Sequence, residues 1–161
     1  MNNQIRVADE VWIATALLHR QFPSDRDFSV GEIVRRAESE KVTGVATLRP
    51  GVQVHAYLHC VANKPPNPGR YRMLVETSKG RRRLFRPGDP CDPGRTTGKD
   101  VPRDDEIPPE YVALIDWYRN EYVRNGERRV ADPILSLRGL GKEIWADEEA
   151  DAYVRRLREG W

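Results

Sequence analysis

Residues 70–86 read Arg70-Tyr71-Arg72-Met73-Leu74-Val75-Glu76-Thr77-Ser78-Lys79-Gly80-Arg81-Arg82-Arg83-Leu84-Phe85-Arg86, and the reading of this stretch decides the fold. Tyr71, Met73 and Val75 alternate with Arg72, Leu74 and Glu76, the period-two pattern of a strand. The stretch therefore predicts two short strands, Arg70–Thr77 and Arg81–Arg86, joined by the small, flexible turn Ser78-Lys79-Gly80. In the second strand Leu84 is the expected inward anchor. Lys79 through Arg86 carries five cations in eight residues, Lys79, Arg81, Arg82, Arg83 and Arg86. Immediately upstream, Lys64-Pro65-Pro66-Asn67-Pro68-Gly69 cannot be helical and reads as a loop.

Three helices are predicted before the hairpin. The nearest runs from about 50 to 63, with Pro50 in its first turn, where a missing N–H costs nothing. Val54, Leu58 and Val61 are spaced to face a core. Ala56, His59 and Asn63 fall opposite, flanked by Gln53 and His55. The second helix begins at Ser29, with Glu32 three residues on as in a capping box, and Phe28 and Ile33 stand at the positions of a hydrophobic staple. Ile33, Val34 and Ala37 continue its apolar face to about Lys41. The first spans about 7–22, with Val7, Val11, Ala14, Leu18 and Phe22 near one face and Pro23-Ser24-Asp25 as its stop.

Helix, helix, helix, strand, strand is the order of a winged helix-turn-helix, so an α+β, mainly α, fold is expected. In that arrangement the third helix enters the major groove of double-stranded DNA and the hairpin lies along the backbone or the minor groove. The expected contacts are Arg49, Gln53, His55, His59 and Asn63 on the helix and Lys79, Arg81, Arg82, Arg83 and Arg86 on the wing. Gln and Asn can pair with adenine, and clustered cations neutralise phosphates with steep salt dependence. The alternative for each is an ordinary solvated side chain.

Downstream, residues 87–109 are dense in proline, glycine and charge and read as a linker. A helix follows at 109–124, with Tyr111, Leu114, Ile115, Tyr118 and Tyr122 as its apolar side. The organisation expected is thus a DNA-binding domain at 1–88, a linker at 89–108, a helix within 109–131 and a tail at 132–161. Charge is uneven along this order. Residues 1–63 hold 7 basic and 7 acidic side chains, 64–103 hold 11 and 4, and 104–161 hold 9 and 14. A basic middle beside an acidic C-terminal third implies two surfaces with two different partners.

Two resemblances sharpen this reading. Arg49-Pro50-Gly51-Val52-Gln53 through His59-Cys60-Val61-Ala62-Asn63, with Tyr71-Arg72 and Arg82-Arg83-Leu84-Phe85-Arg86-Pro87-Gly88, resembles a family of uncharacterised bacterial winged-helix domains over residues 28–88. The likeness implies DNA binding by fold and no individual residue roles. Asp132-Pro133-Ile134-Leu135 through Gly141-Lys142-Glu143-Ile144-Trp145, then Tyr153-Val154-Arg155-Arg156-Leu157-Arg158-Glu159-Gly160-Trp161, resembles the toxin-binding tail of VapB-type antitoxins. That resemblance implies a tail wrapped around a PIN-domain ribonuclease toxin. Trp145, Tyr153, Leu157 and Trp161 would be its anchors, and Arg155, Arg156 or Arg158 would enter the acidic active site. Antitoxins with this tail usually carry a ribbon-helix-helix or swapped-hairpin module, so packing on the chain's own domain and service in a homodimer stay open.

Other chemistry is thinly represented. No apolar run reaches the ~18–20 residues of a membrane span, and the first residues lack a secretory pattern, so no membrane association and a cytoplasmic location are expected. Cys60 and Cys91 are the only cysteines, too few for a disulfide framework. His55, His59 and Cys60 lack a fourth ligand at a sensible spacing, so neither a metal nor a cofactor is expected. Asp104-Asp105-Glu106 reads as a solvated loop rather than a catalytic pair, and an enzyme is not expected. The leading expectation is a transcriptional regulator or antitoxin-like component. The alternative is a protein-interaction adaptor, or an accessory protein of a restriction or defence system.

Overall fold

In the computed structural model, residues 5–44, 49–67 and 69–130 are described. The fold is α+β and mainly helical, with one three-stranded antiparallel sheet. Backbone contacts divide the chain after Val123. Residues 1–123 form one compact unit; of the second, 124–161, only 124–130 are described.

Helix α1 (Val7–Gln21) is the centre of the first unit. Its sequence predicts a single apolar stripe, yet Ala8, Val11, Trp12, Ile13, Ala14, Ala16 and Leu18 are all buried, together with Asp9, Glu10, Thr15 and His19. Neighbours on several sides explain this: α1 packs against the second and third helices, the last strand of the hairpin and the helix after residue 111. Phe22, expected on the stripe, lies past the helix end and is exposed. Burial on this scale leaves α1's carboxylates in need of partners. Arg49 supplies one, donating from Nε and Nη2 to Glu10 Oε2 at 2.8 and 2.6 Å. Lys99 supplies the other, donating to Asp9 Oδ1 at 2.6 Å. Even so, burial raises the Asp9 pKa above the usual carboxylate value.

The capping box forms as its residues dictate. Ser29 Oγ accepts from Glu32 N at 3.2 Å, and Glu32 Oε2 accepts from Ser29 N at 2.7 Å. Helix α2 (Val30–Glu40) starts there, with Phe28 and Ile33 buried in the common core. It stops at Lys41, whose φ of 52° is left-handed.

The third helix differs from its sequence reading. It opens as a short α-helix, Val52–Val54, and passes directly into a π-helical turn, His55–His59; the two together are α3. Cys60 ends it, because the backbone of 60–62 is drawn to the start of the hairpin instead. Met73 N and Leu74 N donate to Cys60 O at 3.0 and 2.9 Å, and Ala62 N donates to Leu74 O at 2.7 Å. The predicted core face is rotated as well. Val52, Ala56 and Cys60 face the core, whereas Val54 is exposed and Leu58 only half-buried. Val61, the third residue of the predicted face, is buried just beyond the helix end.

The hairpin is shorter than predicted: β2 is Leu74–Ser78 and β3 is Arg81–Leu84. A register shift between Glu76 and Ser78 and a left-handed Gly80 (φ 76°) complete the turn. A strand the sequence pattern did not suggest, β1 (Phe28–Ser29), pairs with the other edge of β3, Phe28 opposite Arg82, so the order is β1-β3-β2.

Residues 89–108, expected as a linker, are packed onto the unit instead. Arg95 is wholly buried, and its guanidinium donates to the carbonyls of Leu58, His59, Lys64, Pro65 and Tyr71 at 2.5–3.1 Å. These carbonyls include the otherwise open C-terminal end of α3. Lys99 bridges Asp9 and Glu106, and Ile107 is buried. Helix α4 (Val112–Trp117) and a π-helical turn, Tyr118–Tyr122, then place Leu114, Ile115, Tyr118 and Tyr122 in the core, as their spacing predicts. The Tyr118 and Tyr122 hydroxyls donate to Phe85 O and Leu84 O at 2.5 and 3.0 Å, tying the helix to the hairpin. The boundary therefore falls near residue 123, not at 88, and α5 (Val123–Val130) begins there.

Candidate nucleic-acid interface

The cations of the hairpin are mostly committed to the protein. Strand alternation sends Arg82 to the same side as Leu84, and it is 0% exposed. Its guanidinium meets Glu76, its cross-strand partner, at 2.5 Å and donates to Tyr57 O at 3.0 Å. Arg81 and Arg83 point to the other side. Arg81 pairs with Asp27 and also donates to its carbonyl at 2.9 Å; Thr77 Oγ1 donates to the same carboxylate at 2.7 Å. Arg83 forms a two-pronged pair with Asp89 at 2.6 and 2.7 Å. Arg86 lies over the Tyr122 ring, 3.9 Å from its centroid, and donates to Tyr122 O at 3.2 Å. Of the five cations expected on the wing, Lys79, exposed at the turn, stands apart from these pairs.

The polar residues expected on α3 are similarly drawn inward. Arg49 precedes the helix and is held by Glu10 and by Ile5 O. His55 Nδ1 donates to Gly51 O at 2.9 Å. His59 packs against His55 with ring centroids 4.8 Å apart, and burial, then His55 and Arg95, holds its pKa below the usual 6.5. It is therefore mainly neutral at pH 7 and adds no charge for a phosphate. Asn63 lies beyond the end of α3, its amide exchanging bonds with the backbone of Glu76 at 2.8 and 2.9 Å. Gln53 alone of the five is exposed on the helix itself.

What α3 exposes is largely apolar, and the sequence reading missed it. Val54 is 46% exposed and Tyr57 55%. Two cations lie over the Tyr57 ring, Lys64 Nζ at 4.6 Å and Arg82 at 5.7 Å from its centroid. Both share one carboxylate, since Lys64 also reaches Glu76 at 3.1 Å. Arg82, bonded to Tyr57 O and Glu76, thus ties α3 to the hairpin beneath this face, and Lys64, Arg82 and Glu76 leave one net positive charge at the join. The apolar periodicity of 54, 58 and 61 concealed this face.

In the acidic run 104–106, Asp104 and Asp105 are exposed, as a solvated loop requires, while Glu106 is engaged. Glu106 accepts from Arg103 N at 3.0 Å and pairs with Lys99. No helix among the described residues is long and apolar enough to cross a membrane. Trp145, Tyr153, Arg155, Arg156, Leu157, Arg158 and Trp161, expected to bind a partner, lie outside the described residues. No family model, curated protein or solved structure matches the chain.

Proposed function

We propose that the chain is a DNA-binding protein of winged-helix type, with α3 as the reading helix and β2–β3 as the wing. It would act as a transcriptional regulator or antitoxin-like component whose tail, 132–161, holds a protein partner such as a PIN-domain toxin. The observation that carries the DNA reading is the junction at Arg82. Its guanidinium joins the outward side of α3 at Tyr57 to the hairpin, so helix and wing would meet a duplex as one rigid surface. The short strand β1, which fastens the start of α2 to the same hairpin, supports the reading by fixing the helices relative to the wing.

Contacts are redistributed from those the sequence suggests. Lys79, Gln53, Asn63 and Arg81 are exposed, the last two with bonds inside the protein, and Arg82 and Arg83 serve to hold the wing. The test is binding of duplex DNA to the full chain across a salt series. Lys79→Ala should weaken binding uniformly across sequences and lower the salt slope by about one, whereas absence of binding to any duplex would overturn the proposal.

A second reading rests on a specific observation: Arg81, Arg82 and Arg83 are each neutralised by an internal carboxylate. That favours an adaptor in which the first unit is a scaffold. Under it, the tail alone would retain the protein partner and Lys79→Ala would change nothing.

A further inference from the structure

We propose that α3 reads A·T base pairs through the thymine 5-methyl group, with Val54 and Tyr57 making the apolar contact and Gln53 facing the paired adenine. The proposal rests on the DNA-binding reading above and names what that surface recognises.

Three observations converge on it. Most polar groups that could read bases near α3 are engaged inside the protein, His55 by Gly51 O and Asn63 by the backbone of β2. The exposed side chains left on the helix are one amide and two apolar groups, with Val54 and Tyr57 three residues apart on a common face. In the major groove, thymine is distinguished by a methyl group, which apolar side chains contact, and adenine offers the acceptor–donor pair that a glutamine amide matches. One A·T pair presents both features side by side.

The surroundings favour a duplex as the occupant. Lys64 and the buried Arg82 lie beside Tyr57 and share the single carboxylate of Glu76, which leaves one net positive charge at the site, presented to a duplex backbone by Lys64. Because both cations lie over the Tyr57 ring, the ring is poorly placed to stack on an unpaired base. Two exposed apolar residues beside this charge also make a smaller patch than a protein-binding surface needs.

The experiment uses the full chain and a random-sequence duplex pool. Bound duplexes are recovered, and each thymine of the preferred sequence is then replaced in turn by deoxyuracil, which removes only the methyl group. Affinity should fall about four-fold at each contacted position, the scale of exposing one buried methyl. Val54→Ser and Tyr57→Ser should erase that discrimination while leaving the salt slope and the thermal melt unchanged. Equal binding of thymine and deoxyuracil duplexes overturns this inference and leaves DNA binding standing. Discrimination that survives in both variants overturns it as well. Failure to recover any duplex overturns both.

Discussion

The hairpin and α3 are neighbours in sequence and in space, yet they dispose of their side chains in opposite ways. The hairpin is built from arginines and turns most of that charge to internal use. The helix carries valine, tyrosine and histidine and leaves Val54 and Tyr57 outside. The difference teaches that charge density in a strand and apolar spacing in a helix are separate signals from exposure. In β3, each arginine has a carboxylate within reach from another segment: Asp27 before β1, Glu76 on β2 and Asp89 after the hairpin. In α3, the core is already filled from α1, and the small Ala56 and Cys60 meet it while the larger Val54 and Tyr57 turn away.

The largest effect is expected where the two regions are locked together. Arg95 holds five carbonyl oxygens between the end of α3 and the approach to the hairpin. Arg95→Met removes every donor and leaves those acceptors in a dry interior. A loss of about 3–5 kcal/mol is expected in denaturant unfolding. A loss below about 1 kcal/mol would mean that the carbonyls find other donors and the lock is dispensable.

Next come the adjacent arginines, which composition treats alike and the structure separates. Arg82→Ala leaves Glu76 without its cross-strand partner and removes a fully buried side chain, so a cost of about 3 kcal/mol is expected. Arg81, at 44% side-chain exposure, should cost far less than Arg82 when replaced by Ala, because solvent screens its pair with Asp27. Equal costs measured by thermal unfolding would erase the distinction between an inward and an outward face of β3.

How much of this was legible depends on how local the deciding interaction is. The capping box at Ser29 and Glu32, the stop after Gln21, the inward Leu84 and the apolar side of α4 follow from neighbours within a few residues, and each is observed. The inward course of Arg82 was also available: if Leu84 points to the core, period-two alternation takes Arg82 there too. Other features depend on residues far apart in the chain. Nothing near Arg95 announces that its acceptors lie at 58–71, so a proline- and glycine-rich segment reads as a linker although it is packed. At the end of α3, Cys60 O accepts from Met73 N and Leu74 N, a contact no helical periodicity contains. For the candidate surface, the hairpin and helix were located, but Tyr57 and Val54 were assigned to the wrong side or passed over.

A smaller effect, with a defined pH dependence, is expected at the start of α2. Hydrogen bonds from Ser29 hold the Glu32 pKa below its ordinary 4.5. A carboxylate depressed in the folded state stabilises fully above its unfolded pKa and loses that contribution as the pH falls through its folded one. Ser29→Ala should therefore cost about 1 kcal/mol at neutral pH, and the gap between variant and parent should narrow as the solution is acidified below about 4.5. A gap that is constant from neutral pH to acid would assign the effect to the serine hydroxyl alone. Asp9 works in the opposite direction: its raised pKa makes stability decline as pH rises from 3.8 through the folded value. Asp9→Asn should flatten that part of the profile.

The smallest effect on stability is expected on the outward face of α3. Tyr57 is more than half exposed, and the two cations over its ring retain Glu76. Tyr57→Ser should change unfolding stability by no more than about 0.5 kcal/mol, the range of ordinary surface positions. Phe28→Ser, also aromatic but buried against α1 and α2, should cost several times more, about 3 kcal/mol or above. An exposed tyrosine that contributes so little to folding is free to serve a partner, and that freedom is what the hairpin arginines lack. If Tyr57→Ser proved as costly as Phe28→Ser, the ring would belong to the packing of the unit, and α3 would have no apolar surface left to offer.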